Sequence, residues 1–257
     1  MSSIRPVLEL SGITKRFGAV QALTDVHLTV EPGEVVGLVG DNGAGKSTLI
    51  KIIAGVHQAD AGEIRVSGRS VHYSSPQGAQ RAGIATVFQD LALCDNLGVV
   101  PNLFLGQELL HRGRLDKIEM ERRAWDLLRS LSARIPNVRV PVAALSGGQR
   151  QTVAIARSLL GDPVLVMLDE PTAALGVAQT AEVLNLIELL RDRGLGVLLV
   201  SHNMGDIQAV CDSIHVLRLG HDAGDFPGST ATEDLVAAIT GASDNVVSRR
   251  AAQVAAR

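Results

Sequence analysis

Eight residues narrow the possible folds of this chain more than any others: Gly40-Asp41-Asn42-Gly43-Ala44-Gly45-Lys46-Ser47, which fits the pattern GxxxxGK[ST]. They follow Val35-Val36-Gly37-Leu38-Val39, a short apolar run that reads as a buried strand. The pattern requires a strand that enters a glycine-rich loop and leaves it as a helix. Such a unit belongs in a parallel sheet covered by helices on both faces. The glycines let backbone amides and the helix N-terminus approach an anion closely. Gly40, Asn42, Gly43, Ala44, Gly45, Lys46, Ser47 and Thr48 are therefore candidate phosphate contacts. Lys46 would reach the β- and γ-phosphates of a nucleotide, and the Ser47 hydroxyl would bind Mg²⁺.

The composition agrees with a large aliphatic core. The 257 residues suffice for one core, or for one core with a smaller subdomain attached. Hydrophobic residues make up 46% of the chain and aromatic residues only 2%, so Val, Leu, Ile and Ala must fill the interior. The net charge is −3 and the basic residues are scattered, which argues against a surface built to neutralise nucleic-acid phosphates. Cys94 and Cys211 have no CxxC spacing and read as unpaired structural thiols in a reducing compartment. Met1–Leu10 has no basic segment followed by an apolar stretch, so no signal peptide is expected. No run reaches the roughly 18 apolar residues of a membrane helix, so a role in transport would require docking on separate membrane subunits.

Three regions differ in character. Residues 7–35 hold short alternating segments such as Val26-His27-Leu28-Thr29-Val30, broken by Gly18 and Pro32-Gly33, which suggests antiparallel strands joined by Glu63–Val66. From about 91 to 155 the pattern turns helical. Met120, Ala124, Leu127, Leu128 and Leu131 line one face of an amphipathic helix bordered by Trp125, a packing residue. Beyond it, Val164–Leu168 and Val197–Val200 read as buried strands separated by a helix over Gln179–Arg193. Both strands end in polar residues, and in open parallel sheets ligands bind beyond the carboxyl ends of the strands. At one such end Asp169 would hold Mg²⁺ and Glu170 would polarise an attacking water. The segment 241–257 has no core pattern and is expected to be a mobile tail after a single domain spanning 1–240.

Leu145-Ser146-Gly147-Gly148-Gln149 completes the set. Ser146 to Gln149 fits S-x-x-Q, a capping box at a helix start that also presents amides and a positive dipole end to an anion. The phosphate loop, this pentapeptide and the Asp169-Glu170 pair, in that order, resemble the nucleotide-binding subunit of ABC (ATP-binding cassette) transporters over roughly residues 8–220. The resemblance implies an α/β fold: a P-loop NTPase core with a parallel sheet, an N-terminal antiparallel β subdomain and an inserted helical subdomain. It implies that Ser146, Gly147, Gly148 and Gln149 meet the γ-phosphate held by a second copy of the chain, giving a homodimer with shared sites. It places Gln89 as a sensor that touches Mg²⁺ or the water, His202 as the switch histidine at the γ-phosphate, and Phe17 as the adenine-stacking ring, with a core role for Phe17 left open. Glu170, His202, Gln89 and Lys46 are then the catalytic set, and Ser47, Gln89 and Asp169 the metal set.

One departure narrows the resemblance. After Pro171-Thr172 the general family usually carries Ser-Ala-Leu-Asp, whereas this chain has Ala173-Ala174-Leu175-Gly176. Gly176 supplies no carboxylate. Together with Asp90-Leu91-Ala92-Leu93-Cys94-Asp95-Asn96-Leu97, the segment resembles the subgroup that imports monosaccharides such as ribose, xylose or fructose. The expected protein is an ATP-hydrolysing subunit with ATP and Mg²⁺, peripheral on the cytoplasmic side of the membrane. Its expected partners are a second copy, permease subunits and, indirectly, a sugar-binding protein. An exporter subunit, an importer of another solute and a non-transport soluble ATPase are the alternatives. The stretch from Asp90 to Leu145 is too short for the long coiled coils of cassette proteins of DNA maintenance. The presence of Lys46, Asp169, Glu170 and His202 speaks against a subunit that binds ATP without turnover.

Overall fold

A computed structural model describes residues 5–242. The tail expected at 241–257 therefore lies, from residue 243 on, outside the described residues. The chain opens with β1 (Leu8–Phe17) and β2 (Val20–Val30), an antiparallel hairpin, before β3 (Val35–Val39) runs into α1 (Lys46–Ile53). β4 (Ala61–Val66) and β5 (Arg69–Ser70) extend the hairpin into a four-stranded sheet of order β2-β1-β4-β5, with β4 against β1 as its composition suggested. α2 (Pro76–Arg81), capped by Ser75, leads to β6 (Ile84–Val87).

The middle of the chain contains α3 (Val99–Phe104), a small hairpin of β7 (Leu110–His111) and β8 (Arg114–Leu115), α4 (Lys117–Ser130), a 3-10 turn at Val142–Ala144 and α5 (Gly147–Leu159). The hairpin is a correction to a region expected to be helical throughout. Arg112 and Gly113 carry positive φ at its turn, a local conformation that apolar periodicity does not report. Asp116 caps α4 by accepting from the Glu119 N–H at 3.0 Å, and Met120, Ala124 and Leu128 form its buried stripe. Trp125 packs against the same core, with the Arg129 guanidinium 5.6 Å above its ring.

The last third contributes β9 (Leu165–Asp169), α6 (Val177–Asp192), β10 (Gly196–Val200), α7 (Met204–Val210), β11 (Ser213–Arg218), β12 (His221–Pro227) and α8 (Thr232–Thr240). A six-stranded sheet of order β12-β11-β3-β10-β9-β6 organises the molecule, parallel except for β12. Side chains of β9 alternate between two apolar clusters: Leu165 and Met167 face the cluster shared with α1 and the antiparallel sheet, while Val166 and Leu168 face the one shared with α3–α6. Both faces are thus covered, which explains why β3, β9 and β10 are continuous apolar runs without the polar alternation of an exposed sheet. Each aliphatic side chain fully buried in this way contributes about 1.5–3 kcal/mol.

Candidate functional site

The register of the central sheet brings four chain segments to one edge. Gly37, Leu199, Leu168 and Val87 lie in one row across β3, β10, β9 and β6. Two or three residues further along, in the same direction, stand Gly40, His202, Glu170 and Gln89. Asp169, the last residue of β9, pairs in register with Val200. The sheet therefore gathers the glycine-rich loop, Asp169 and Glu170, His202 and Gln89, as the sequence led one to expect.

Local chemistry shapes each end. Gly40 has φ +152° and its α-carbon faces the Leu217 carbonyl so closely that a Cβ would collide with it. Gly45, the N-cap of α1, has φ +108°, and a Cβ there would lie 2.6 Å from Leu23 of β2. The loop is thus wedged between β11 and β2 in a conformation that favours glycine. Gly220, in the turn after β11, holds it from outside, donating to the Ala44 carbonyl at 3.0 Å and accepting from the Thr24 N–H at 2.8 Å. Lys46 Nζ donates to the Gly40 and Asp41 carbonyls at 2.7 and 3.1 Å, spanning the loop from inside. Ser47, next in α1, is exposed, and Thr48 half-buried.

Electrostatics tie the loop to the acids. Burial lowers the pKa of Lys46, opposed by the negative charges of Glu170, Asp41 and Asp169. Burial likewise raises Asp169, opposed chiefly by Lys46, and raises Glu170, opposed by His202 and Lys46. Glu170 adopts φ +52°, in the left-handed region, while its N–H still reaches the Val200 carbonyl at 2.9 Å. Backbone of this kind is costly for a non-glycine residue and concentrates at functional sites. His202 Nε2 stands 3.3 Å from Glu170 Oε1 but off the line of a hydrogen bond, leaving that buried oxygen without a hydrogen-bonding partner. The His202 N–H donates to Oε2 at 3.4 Å.

These features match what MgATP needs from a site. Hydroxyl, carboxylate and amide oxygens of Ser47, Asp169 and Gln89 are hard donors of the type Mg²⁺ takes. A buried Glu170 oxygen without a hydrogen bond, with Glu170 and its neighbour Asp169 both raised by burial, is the expected condition of acids arranged around a cation or a polarised water.

Phe17 and the Ser146–Gln149 turn lie apart from this edge. Phe17, at the end of β1, is 43% exposed, which excludes the core role; its ring meets His57 edge-on at 5.3 Å, with Lys15 Nζ 5.4 Å from its centroid. The Ser146 turn forms the anticipated capping box: Ser146 Oγ accepts from the Gln149 N–H at 3.2 Å, and Gln149 Oε1 accepts from the Ser146 N–H at 3.0 Å. Gln149 Nε2 also donates to the Arg134 carbonyl at 2.8 Å. Among the described residues, no hydrogen bond joins this turn to the loop at 40–47.

Sequence reasoning missed Arg157 and Asp206. Arg157 of α5 donates to the Leu91 and Ala92 carbonyls at 2.7 and 2.8 Å, pinning the segment after Gln89 to the helix that begins at Ser146. Asp206 is buried and bonds Thr172 and Asn203. Its signal in the sequence is an acid placed beside Ile207 on the apolar side of a short helix.

Known proteins resemble the whole arrangement. A family profile described as ABC transporter matches residues 23–173. The chain is 46% identical over 214 residues to the xylose/arabinose import ATP-binding protein of Sulfolobus acidocaldarius, covering 83% of this chain and 85% of that one. It is 43% identical over 248 residues to the fructose import ATP-binding protein of Rhizobium meliloti, covering 93% and 95%. Against the xylose import ATP-binding protein of Burkholderia ambifaria it is 42% identical over 91% of its own length and only 46% of that longer protein. A nucleotide-free ATP-binding cassette from an ABC transporter superposes with TM-score 0.80 at 25% identity, covering 90% of this chain and 95% of that one. A dimeric ATP-binding cassette in a post-hydrolysis state, bound to ADP and Pi, gives 0.72 at 26% identity, covering 87% and 100%.

Proposed function

The chain belongs to the ABC transporter family and is an ATPase of its ATP-binding cassette type; from that premise we propose that it energises uptake of a monosaccharide. Support for the sugar comes from relatives that cover most of the chain and are each named for sugar import. The observation that carries the catalytic part is the convergence of Lys46, Asp169, Glu170 and His202 on one sheet edge.

In this reading Lys46 leaves its own loop carbonyls to hold the γ-phosphate, and the loop amides from Gly43 to Thr48 hold the phosphate chain at the α1 N-terminus. Glu170 orients and polarises the attacking water, with His202 at its free oxygen and Gln89 at the neighbouring strand end. Mg²⁺, held by Ser47, Asp169 and Gln89, would neutralise phosphate charge. Phe17, exposed on the hairpin that touches the loop through Leu23, stacks on adenine. Of the single domain expected over 1–240, the described residues 5–240 form one unit, with about 91–155 as its helical part.

The site is incomplete within one chain. The capped turn at Ser146 offers an anion-binding helix start that Lys46 does not use, so a second copy supplies Ser146, Gly147, Gly148 and Gln149 to the γ-phosphate. No helix among the described residues is long and apolar enough to cross a membrane. In this reading permease subunits dock on the surface formed around residues 89–106 and sit with the protein at the cytoplasmic face. Leu105, Leu115 and Ile118 are exposed there, beside a groove of about 600 Å³ lined with Val100, Pro101 and Met120.

Reconstitution with its permease in vesicles tests the reading. Labelled pentose or fructose should accumulate with ATP, and Lys46→Ala should stop it. ATP hydrolysis without accumulation of any monosaccharide, in vesicles whose permease is folded, would remove the sugar assignment while leaving the ATPase intact.

A further inference from the structure

Behind the Glu170–His202 pair lies a carboxylate with no part in the chemistry described above. Asp206, in the first turn of α7, is 6% exposed, and among the described residues no Lys, Arg or His lies within ion-pair distance of it. A buried carboxylate without a cation is costly unless hydrogen bonds satisfy it. Two neutral donors do so. Thr172 Oγ1 donates to Oδ2 at 2.6 Å, and Asn203 Nδ2 donates to Oδ1 at 3.1 Å. The first is as short as charge-assisted O–H···O⁻ bonds become.

The placement of those donors is informative. Thr172 follows Glu170 by two residues on the loop leaving β9, and Asn203 follows His202 on the loop leaving β10. Asn203 is itself fixed, accepting from the Gly205 N–H at 2.9 Å and donating its own N–H to Ser201 Oγ at 3.1 Å. One carboxylate thus ties the two loops together just beyond Glu170 and His202, which face each other at 3.3 Å. Thr172 also begins the segment Ala173–Gly176, in which Leu175 lies against Gly147 of the signature turn. That segment has no acid of its own at Gly176.

Building on the ATPase reading above, we propose that Asp206 is a positioning residue for hydrolysis: by holding Thr172 and Asn203 on its two oxygens, it sets the spacing of Glu170 and His202. Misplacement of a reacting group by about 1 Å can cost on the order of a hundredfold in rate. Nucleotide binding through the loop at 40–48 lies elsewhere and is unaffected, so the loss falls on kcat.

The test uses the full chain. Thr172→Val removes the hydroxyl and keeps the shape; Thr172→Ser keeps the hydroxyl. The valine variant should lose about tenfold or more in kcat with KM for ATP within about twofold, and the serine variant should hydrolyse at close to the wild-type rate. Adding Asp206→Ala to Thr172→Val should cost little more, because the two act as one unit. In the nucleotide-free protein, the His202 ring resonance, assigned by its loss in His202→Ala, should shift in Thr172→Val. Wild-type kcat in the valine variant, an unmoved His202 resonance, or single effects that multiply in the double variant would each overturn the proposal. If Asp206→Ala fails to fold, Thr172→Val decides alone. An inactive wild-type protein would instead remove the ATPase reading, a result distinct from a silent valine variant in an active protein.

Discussion

Asn102 offers the sharpest energetic test of how the segment after Gln89 is held. Its side chain, completely buried in α3, accepts from the Cys94 N–H at 2.7 Å and donates to the Cys94, Leu97 and Gly98 carbonyls at 3.0, 3.2 and 3.0 Å. Truncation to alanine does not orphan all four groups. The Cys94 carbonyl keeps the Leu97 N–H, the Leu97 carbonyl keeps the Val142 N–H, and the Gly98 carbonyl keeps the N–H of residue 102 itself. Among the described residues, only the Cys94 N–H loses its sole partner. One buried unpaired donor costs about 1–3 kcal/mol, and the void left by the amide adds about 1 kcal/mol. Cys94 is half-buried, so water recovers part of this, leaving about 2–3 kcal/mol in all. At about 2–4 °C per kcal/mol for a domain of this size, thermal unfolding without nucleotide should begin about 4–12 °C lower. Asn102→Asp should be worse at neutral pH, since an oxygen would then face three carbonyl oxygens, and it should recover in acid as that oxygen gains a proton. A melting temperature within about 1 °C of wild type for the alanine variant, or an aspartate variant more stable than the alanine one, would refute this account of the segment.

Glu170→Gln keeps the shape and loses the charge, so hydrolysis should stall with ATP bound; size-exclusion chromatography should then show a dimer with ATP that the wild type does not accumulate. Wild type paired with the double variant Lys46→Ala/Ser146→Arg has no complete site if sites are shared and one if each chain works alone, so activity of about half the wild-type level in that heterodimer would exclude sharing. His215 lies between Asp222 (3.1 Å) and Asp225 (2.7 Å); burial lowers its pKa, but the two hydrogen bonds more than offset this and raise it above 6.5. Its contribution to stability is therefore complete below pH 6.5 and lost as pH rises through the raised folded value. The melting temperature of wild type relative to His215→Gln should fall as pH rises above 6.5, and a constant difference would contradict the assignment.

What could be read from the sequence was local or periodic. The strand, loop and helix around Gly40–Ser47 follow from one apolar run and the glycines that make its turn possible. The acidic strand was placed one residue early: Val164 is partly buried, but its N–H serves the Gly83 carbonyl and pairing proper starts at Leu165. The helix expected from Gln179 begins at Val177, because Gly176 acts as an N-cap through its extended backbone and without a side-chain bond, leaving no polar cap to mark the start. Residues 213–240, which form β11, β12 and α8, carried no sequence assignment, although they supply the Gly220 brace on the phosphate loop. Asp206 and Thr172 are 34 residues apart and meet only because β9 and β10 are neighbours in the sheet. No periodicity encodes that meeting; it is a property of strand order.

The same strand order explains why the site is poised rather than relaxed. Three unfavourable features occur at one sheet edge: a non-glycine residue with left-handed backbone at Glu170, a buried carboxylate oxygen without a hydrogen bond, and a buried ammonium at Lys46 bound to carbonyls of its own loop. The first costs about 1–3 kcal/mol and the second about 1–3 kcal/mol. The large apolar clusters on both faces of the sheet can hold such strain, because β3, β9 and β10 are buried on both faces and fixed in register along their length. In the proposed reading, Lys46 would gain a phosphate as partner when nucleotide binds, and Glu170 Oε1 a water to orient. Binding would then satisfy groups that folding left unsatisfied. The Ser146 turn differs: its capping box is already complete within the chain, which in the proposed reading leaves its other amides for a ligand presented from outside. A relaxed turn at Ser146, apart from a strained sheet edge, is the asymmetry that the proposed reading expects when one surface waits for nucleotide and the other for a second subunit that carries it.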